Sequence, residues 1–369
     1  MLRKMMPRRV VLVLAALVAG CGGETTGPDE VGGSALVLNS TGQTLAGFVV
    51  DGETLRSEGS EIDLGASFDG DATDVSGTTA VTTLSSFNGS QLLLVGLESR
   101  QIETIVFPGS PGLDSTLVNP SRATFASDGT VWVGGRGSDA VYRAESGSAI
   151  ATRVASGVGT FVQRVIPVGE SLYVIDANID DDGFTFQPLG PSRVVVLSSS
   201  GSQQAVVNLP AGAVGAADAV VAGGHLVVLA GGSFDANFAA NGDGSLVTVA
   251  LSNLAVSGPF PLGGNGVSIE LGADGMVYAT ASNDFTSLQT LSFDAGAGRF
   301  VRGPADPIGI VDAAGDPVSW WTATALADDR LLCVTFRFDA PGRLLLTHGD
   351  GRFLAEVASG FGSTDIQLR

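Results

Sequence analysis

The stretch NPSRATFASDGTVWVGGRGSDAVYR, residues 119–143, contains three short apolar runs separated by polar turns. The pair Asp128-Gly129 separates the first two runs, and such a pair favours the positive φ angles of a two-residue hairpin turn. The second run, residues 131–133, is Val-Trp-Val, and β-branched and aromatic residues suit a pleated, half-buried strand. This stretch therefore predicts an antiparallel β-meander and no helix.

Weaker copies of this unit occur along the chain. Aligned on Trp132, their central residues are Val37, Leu93, Tyr173, Val227, Tyr278 and Leu332. The six steps from Val37 to Leu332 average about 49 residues, which is typical of four-stranded propeller blades and not of helical repeats. The sequence therefore predicts an all-β fold, a β-propeller of four-stranded antiparallel blades, with seven blades favoured and six or eight left open.

The two ends of the repeat array complement each other. The first copy, ALVLN at residues 35–39, has no strand before it, whereas residues 363–368 form a strand with nothing after it. Together they would complete one blade, and closing the ring removes exposed sheet edges. We therefore predict that residues 34–369 form one propeller, closed by N-terminal strands that pair with the C-terminal strand.

Residues 1–20 have the pattern of a processing segment. Four basic residues precede the apolar run VVLVLAALV, residues 10–18, which is too short to span a bilayer as a mature helix. The following Val-Ala-Gly-Cys, ending at Cys21, resembles a bacterial lipobox, which implies cleavage after residue 20 and lipidation of Cys21. An ordinary secretory signal or an uncleaved membrane anchor is the alternative.

The Gly- and acid-rich residues 21–33 are predicted to form a flexible tether between the lipid and the propeller. Resemblance to Gram-negative lipoproteins implies sorting to the outer membrane, because Gly22 and not Asp follows the cysteine. We therefore expect a lipid-anchored protein of the bacterial cell envelope, with the membrane as one partner.

Charge limits the class of partner. The chain has 19 basic and 38 acidic residues; removing residues 1–20 takes away four basic residues, so the remainder carries 15 − 38 = −23. Such an acidic surface repels phosphate backbones, and the sequence predicts no nucleic-acid partner. Cys333, the other cysteine, lies within the apolar run LLCVTF and is predicted to be a buried small hydrophobe.

Propeller topology determines which connections share a face. Turns between strands 1 and 2 lie on one face, and connections between strands 2 and 3 or between blades lie on the other. The long insertions belong to the second set: residues 108–120, 176–191, 231–244 and 303–319. Because function is often carried by loops on a rigid scaffold, this long-loop face is the predicted working surface. The alternative is drift in loops that tolerate insertion.

An Asp-rich loop suggests a metal site. Asn178, Asp180 and Asp182 place oxygen ligands at alternate positions before Gly183, like the start of a calcium-binding loop. The pattern departs from an EF-hand, since Leu189 stands where the bidentate Glu is expected. A second loop, residues 235–244, is also rich in Asp and Asn. Ca²⁺ is therefore a possible cofactor, and ordinary turn chemistry is the alternative.

A second candidate site lies at the mouth of the central channel. Arg122, Arg164 and Asp218 hold equivalent positions in successive first strands, and Asp365 holds that place in the closing strand. Two arginines could bind a carboxylate or phosphate, or the aspartates could neutralise them in a structural network. The ligand-binding candidates are Arg122, Arg164, Asp176, Asp218, Trp320 and Trp321.

Nucleophilic catalysis has little support in the sequence. The two histidines, His225 and His348, lack a serine or acid partner by position, and the chain contains no GxSxG, P-loop or zinc motif. We predict no catalytic residue.

The blade units, above all residues 119–143, resemble the bacterial YVTN, NHL and SMP-30-like seven-bladed propellers. That resemblance implies a propeller fold; some relatives are lactonases with a metal held by Glu, Asn and Asp, and others are lyases that use His and Glu. Few such residues occupy first-strand positions here, so neither activity is transferred. The expected function is a binding or interaction module for an unknown protein, glycan or small molecule. A divalent-metal-dependent lactonase or hydrolase at the channel mouth is the alternative.

Overall fold

The computed structural model describes residues 33–65, 70–86, 89–108, 118–180, 187–235, 237–284, 287–337 and 340–369. Within these ranges the regular secondary structure consists of β-strands, and no helix is long and apolar enough to cross a membrane. The strands form seven four-stranded antiparallel blades arranged as a β-propeller. The predicted fold class and blade number are confirmed.

Blades 1 to 4 are built as follows, each from its innermost strand outward. Blade 1 contains β31 (Ser363–Leu368), β1 (Gly33–Asn39), β2 (Thr44–Asp51) and β3 (Thr54–Ser57), with β4 (Ile62–Asp63) beside β2. Blade 2 contains β5 (Gly70–Ser76), β6 (Thr79–Ser86), β7 (Gly89–Gly96) and β8 (Ile102–Val106). Blade 3 contains β9 (Thr124–Phe125), β10 (Val131–Gly135), β11 (Ala140–Ala144) and β12 (Thr152–Ser156). Blade 4 contains β13 (Val162–Val168), β14 (Ser171–Asp176), β17 (Arg193–Ser198) and β18 (Gln203–Asn208), with the hairpin β15 (Ile179–Asp180) and β16 (Gln187–Pro188) inserted.

Blades 5 to 7 have the same order. Blade 5 contains β19 (Ala216–Ala222), β20 (His225–Ala230), β21 (Ser245–Ala250) and β22 (Val256–Pro261). Blade 6 contains β23 (Asn265–Leu271), β24 (Val277–Ser282), β25 (Leu288–Asp294) and β26 (Arg299–Arg302). Blade 7 contains β27 (Thr322–Ala325), β28 (Leu331–Val334), β29 (Pro341–Thr347) and β30 (Phe353–Phe361).

The ring closes as predicted. Strand β31 pairs antiparallel with β1, and Ala35 faces Leu368 while Leu38 faces Asp365. The innermost strands of neighbouring blades contact one another around the whole ring, including β31 with β5 and β27 with β31. Closure therefore uses the two ends of the folded chain to complete a single blade.

One repeat was aligned on the wrong strand. Leu93 lies in β7, the third strand of blade 2, whereas the other central residues lie in second strands. The true second strand, β6, is rich in threonine, and its buried Thr82 and Thr83 donate to the carbonyl oxygens of Ala72 and Ser121. An alignment by hydrophobic residues therefore falls on the more apolar third strand of blade 2. The predicted number of blades does not change.

The hydrophobic core is divided among the seams between blades. Each of seven clusters joins residues of two neighbouring blades, as Tyr142 does between blades 2 and 3 and Phe293 between blades 5 and 6. Cys333 is fully buried in the seam between blades 6 and 7, which confirms the interpretation of this thiol as a core residue. Every blade is thus stabilised by both of its neighbours.

The faces of the propeller differ in their connections. Gly33 and Arg369 both lie on the turn face, where Arg369 N donates to Ser34 O and Gly33 approaches Leu326. The described parts of the connections 177–192 and 231–244 are on the opposite, long-loop face, as predicted for residues 176–191 and 231–244. Residues 109–117 of a third predicted loop lie outside the described residues.

The fourth predicted loop, residues 303–319, is placed differently. Ile308 pairs with Thr290 of β25, and Ile310 and Val318 are buried in the seam between blades 6 and 7. Val311 N donates to Gly351 O, in a turn that belongs to the opposite face. This segment is therefore long because it packs along a seam, and the prediction that it projects from the long-loop face is wrong.

Candidate functional site

Charged side chains from five blades meet at the centre of the ring. They are Arg122 of blade 3, Arg164 of blade 4, Asp218 of blade 5, Glu270 of blade 6 and Asp365 of blade 1. Each lies in or beside the innermost strand of its blade, where alternate residues of a strand face the channel. Arg122 and Arg164 are 8% and 7% exposed, so both charges are taken almost entirely out of water.

Both guanidinium groups of this central cluster are bound by protein carboxylates. Arg122 Nη1 is 2.9 Å from Asp218 Oδ2 and 3.3 Å from Glu270 Oε1, and its Nη2 is 3.6 Å from Asp365 Oδ1. Arg164 Nη1 is 2.5 Å from Asp218 Oδ1. Asp218 therefore bridges the two arginines with its two oxygens. The two roles considered for these arginines were binding of an anionic ligand and neutralisation by aspartates in a structural network. The ion pairs of the central cluster form such a network.

The carboxyl groups of the central cluster have pKa values that are shifted in opposite directions. Burial alone would raise the pKa of Asp218, but Arg164 and Arg122 lower it below its usual value. For Glu270, burial dominates over the attraction of Arg122, and with Asp365 and Asp218 nearby it raises the pKa to about 8. The pKa of Arg122 is well above its usual value, because Glu270, Asp365 and Asp218 outweigh burial. The central cluster therefore favours the ionised form of Asp218 and the protonated form of Glu270.

Replacing Glu270 by Gln is expected to flatten the dependence of stability on pH. The folded pKa of Glu270 lies above its value of 4.5 in the unfolded chain. The contribution of Glu270 to the free energy of unfolding is therefore fully present below pH 4.5 and is lost as pH rises through about 8. Glutamine imitates the protonated acid and does not titrate. Urea unfolding at pH 5 and pH 9 should show a variant that is more stable than wild type at the higher pH, by about 1–3 kcal/mol.

The exposed Glu170 supplies the control for this experiment. Glu170→Gln should retain the wild-type pH profile, because this side chain stays in contact with water when the chain folds. Parallel profiles for wild type and Glu270→Gln would contradict the buried, protonated state of Glu270.

Asp176 lies away from the channel, at the end of β14. Its Oδ1 accepts backbone hydrogen bonds from Thr160, Phe161 and Asn178, each of 3.1 Å, and its Oδ2 accepts Arg193 Nε at 2.9 Å. This fully buried carboxylate therefore fixes the point at which the blade 4 loop leaves the sheet. Its role as a ligand-binding residue stays a prediction.

The two adjacent tryptophans occupy different environments. Trp320 is buried in the seam between blades 6 and 7, and its Nε1 donates to Thr290 Oγ1 over 2.6 Å. Trp321 is partly exposed, its ring centroid is 5.2 Å from that of Phe336, and its carbonyl accepts Ser268 Oγ. Since Ser268 precedes Glu270 by two residues on β23, Trp321 lies near the channel on the long-loop side.

The predicted calcium loop is only partly described. Asn178 has φ of 53° and its Nδ2 donates to Pro191 O, while Asp180 pairs with Gln187 in the β15–β16 hairpin. Asp182 lies outside the described residues. Among the residues that the structure describes, no group of three or more His, Cys, Asp or Glu side chains could hold a metal ion. The calcium site stays a prediction.

The Asp residues of the second loop cap its turns. Asp235 Oδ1 accepts the backbone N–H groups of Asn237 and Ala239, and Asp243 accepts both the backbone N–H and the hydroxyl of Ser233. These contacts are the turn chemistry that was the alternative to metal binding. They connect both carboxylates to neighbouring residues of the loop.

Glu270 is the member of the central cluster that sequence reasoning missed. Arg164 and Asp218 each lie nine residues before the central residue of their repeat. Nine residues before Tyr278, the central residue of blade 6, stands Ile269, which is a core residue. The residue of β23 that corresponds to Arg164 and Asp218 is Ser268, because each of the three directly follows the register shift of its strand. Glu270 lies two residues further along the same strand. The alternation of Ser268 and Glu270 with apolar neighbours was the available signal.

Comparison with known proteins shows the fold alone. No family profile and no curated protein sequence matches the chain. A candidate 6-phosphogluconolactonase from Bacteroides fragilis superposes with a TM-score of 0.58 at 10% identity, covering 94% of this chain and 100% of that one. A Lactobacillus plantarum protein gives 0.55 at 14% identity over 91% and 99%, and a streptogramin B lyase gives 0.51 at 10% over 91% and 98%. These similarities support a seven-bladed propeller related in shape to the lactonase-like and lyase propellers.

Proposed function

We propose that this protein is an envelope-anchored β-propeller that binds another molecule through its long-loop face. The observation that carries the proposal is the separation of the two faces. The chain joins the propeller at Gly33 on the turn face, whereas the inserted loops 177–192 and 231–244 belong to the opposite face. An anchor attached ahead of residue 33 would leave the long-loop face free to meet a partner.

The central cluster supports binding over catalysis. Asp218, Glu270 and Asp365 already contact Arg122, so a divalent metal in the channel would have to displace buried ion pairs. Breaking such pairs is costly because it leaves an uncompensated buried charge. The alternative function, a metal-dependent lactonase or hydrolase, is suggested by the fold of the candidate 6-phosphogluconolactonase. It gains no specific support from the arginine-bound carboxylates of this chain.

The anchor is proposed from the lipobox-like residues 18–21, which lie outside the described residues. Replacing Cys21 by Ala should block lipidation and leave an unprocessed precursor, visible as a slower band that lacks incorporated radiolabelled palmitate. A Cys21→Ala protein that matures and fractionates like wild type would contradict lipid anchoring, without affecting the assignment of the binding face.

The binding face is tested by photo-crosslinking in intact cells. A photoreactive amino acid replaces Leu189 on the long-loop face in one variant and His225, beside a turn on the other face, in a second. We expect specific adducts from position 189 and few from position 225. Adducts from position 225 alone would overturn the proposal, and so would turnover of a lactone or ester that requires a stoichiometric divalent ion.

A further inference from the structure

Five successive connections of blades 4–6 form one continuous surface on the long-loop face. They are residues 177–192, 209–215, 231–244, 262–264 and 283–287, of which 181–186, 236 and 285–286 lie outside the described residues. Hydrogen bonds link each connection to the next: Ser192 N to Ala213 O, Gly232 N to Val214 O, Leu262 N to Gly244 O, and Asn283 Nδ2 to Gly263 O. We name the described part of these connections the 4–6 loop surface.

The charge of these five connections has one sign. Their described residues contain four aspartates and no lysine, arginine or histidine, in a chain of formal charge −19. The nearest arginine that follows the blade 4 connection, Arg193, is bound to the buried Asp176 and does not offset this charge. An anionic partner would therefore be repelled, and a cationic partner attracted.

Large apolar side chains are exposed within the 4–6 loop surface. Leu189 is 59% exposed, Phe234 37% and Phe238 67%. Exposed apolar groups that share a surface, with polar residues around them, are typical of interaction sites. A phenyl ring adds a specific preference, because its face attracts the cationic groups of lysine and arginine.

The 4–6 loop surface is ordered before any partner arrives. Phe238 has φ of 61°, a left-handed conformation that is unfavourable for a large side chain. It is held there by the bond from Phe238 N to Asp235 O and by the capping bonds of Asp235 to Asn237 and Ala239. The backbone that carries Phe238 and the carboxylates of Asp235 and Asp243 are therefore held in place, which lowers the entropic cost of binding.

We propose that the 4–6 loop surface binds a cationic, partly apolar polypeptide segment. Lysine or arginine side chains of the partner face Asp235 and Asp243, and its apolar side chains pack against Phe238 and Leu189. The inference rests on the proposed function and adds the chemical class of the partner. Charge complementarity selects a cationic segment, and the exposed phenyl rings select one with apolar residues.

The test measures binding of a labelled synthetic peptide of alternating lysine and leucine to the purified full-length protein. Fluorescence anisotropy gives the dissociation constant at low and at physiological salt, and a peptide of alternating glutamate and leucine is the comparison. The double variant Asp235→Asn/Asp243→Asn keeps oxygen acceptors for the turns and removes two charges. It should weaken binding about fivefold, and Phe238→Asn, which tolerates positive φ, should weaken it about threefold.

The matched control is Asp128→Asn/Asp350→Asn, which removes two charges from capping aspartates of the turn face. It should change affinity less than about twofold, as expected for charges beyond a Debye length from the peptide. Equal loss in the control variant, equal binding of the glutamate peptide, or binding that requires added Ca²⁺ would each overturn the proposal. If position 189 gives crosslinks in cells but the lysine peptide does not bind, the partner class is wrong and the binding face stands.

Discussion

Replacing Arg122 by methionine is expected to lower the free energy of unfolding by about 3–5 kcal/mol. Methionine fills much of the same volume but leaves Asp218, Glu270 and Asp365 without the guanidinium that all three contact. Asp218 keeps its ion pair with Arg164, but Asp365 loses its pair with Arg122 and must either remain charged in a poor solvent or bind a proton. The loss should be measured by urea unfolding at pH 7, with circular dichroism of the β-sheet signal.

Arg143 provides a control with the same chemical change at an exposed position. Its ion pair with Glu145 spans 3.5 Å between side chains that are 44% and 57% exposed, so Arg143→Met should cost less than about 1 kcal/mol. Adding Glu270→Gln to Arg122→Met should recover part of the loss, because glutamine carries no charge and needs no proton on burial. Equal destabilisation by the two methionine variants would show that the central cluster contributes no more than a surface pair.

Local sequence patterns determined most of the fold because each blade is a local meander. Asp128-Gly129 and the alternating residues after it specify a hairpin within a few positions, and the turn occurs there, with Gly129 at φ of 84°. The same logic misplaced Leu93, because threonine in β6 is buried through hydrogen bonds and carries no hydrophobic signal. Closure was predictable because the fragments at residues 35–39 and 363–368 are complementary.

The central cluster was harder to predict because it depends on register. Arg122, Arg164, Asp218 and Asp365 were recognised by their distance from aligned residues, and all four contact one another or Glu270 through the network. Glu270 was not predicted because it lies two residues beyond Ser268, the residue of β23 that corresponds to Arg164 and Asp218. Residues 303–319 were misplaced because loop length alone does not distinguish a projecting loop from one that packs along a seam.

Ending the chain at residue 362 is expected to abolish cooperative folding, with a loss on the order of 5 kcal/mol or more, comparable with the whole stability of a domain. The deletion removes β31, the innermost strand of blade 1, and exposes the hydrogen-bonding edge of β1. It removes the buried Ile366 from the seam between blades 7 and 1, and Asp365 from Arg122 and from the backbone N–H of Thr73. Thermal unfolding should then lose its sharp transition.

Deleting Arg369 alone is the control for this truncation. Its side chain pairs with Glu58, a partly exposed contact, so the transition temperature should fall by no more than a few degrees. A synthetic peptide of residues 363–369, added to the truncated protein, should restore the transition in proportion to its concentration, because it binds only the folded ring. A truncated protein that melts like wild type would mean that six blades and an open edge suffice, and that β31 does not close the propeller.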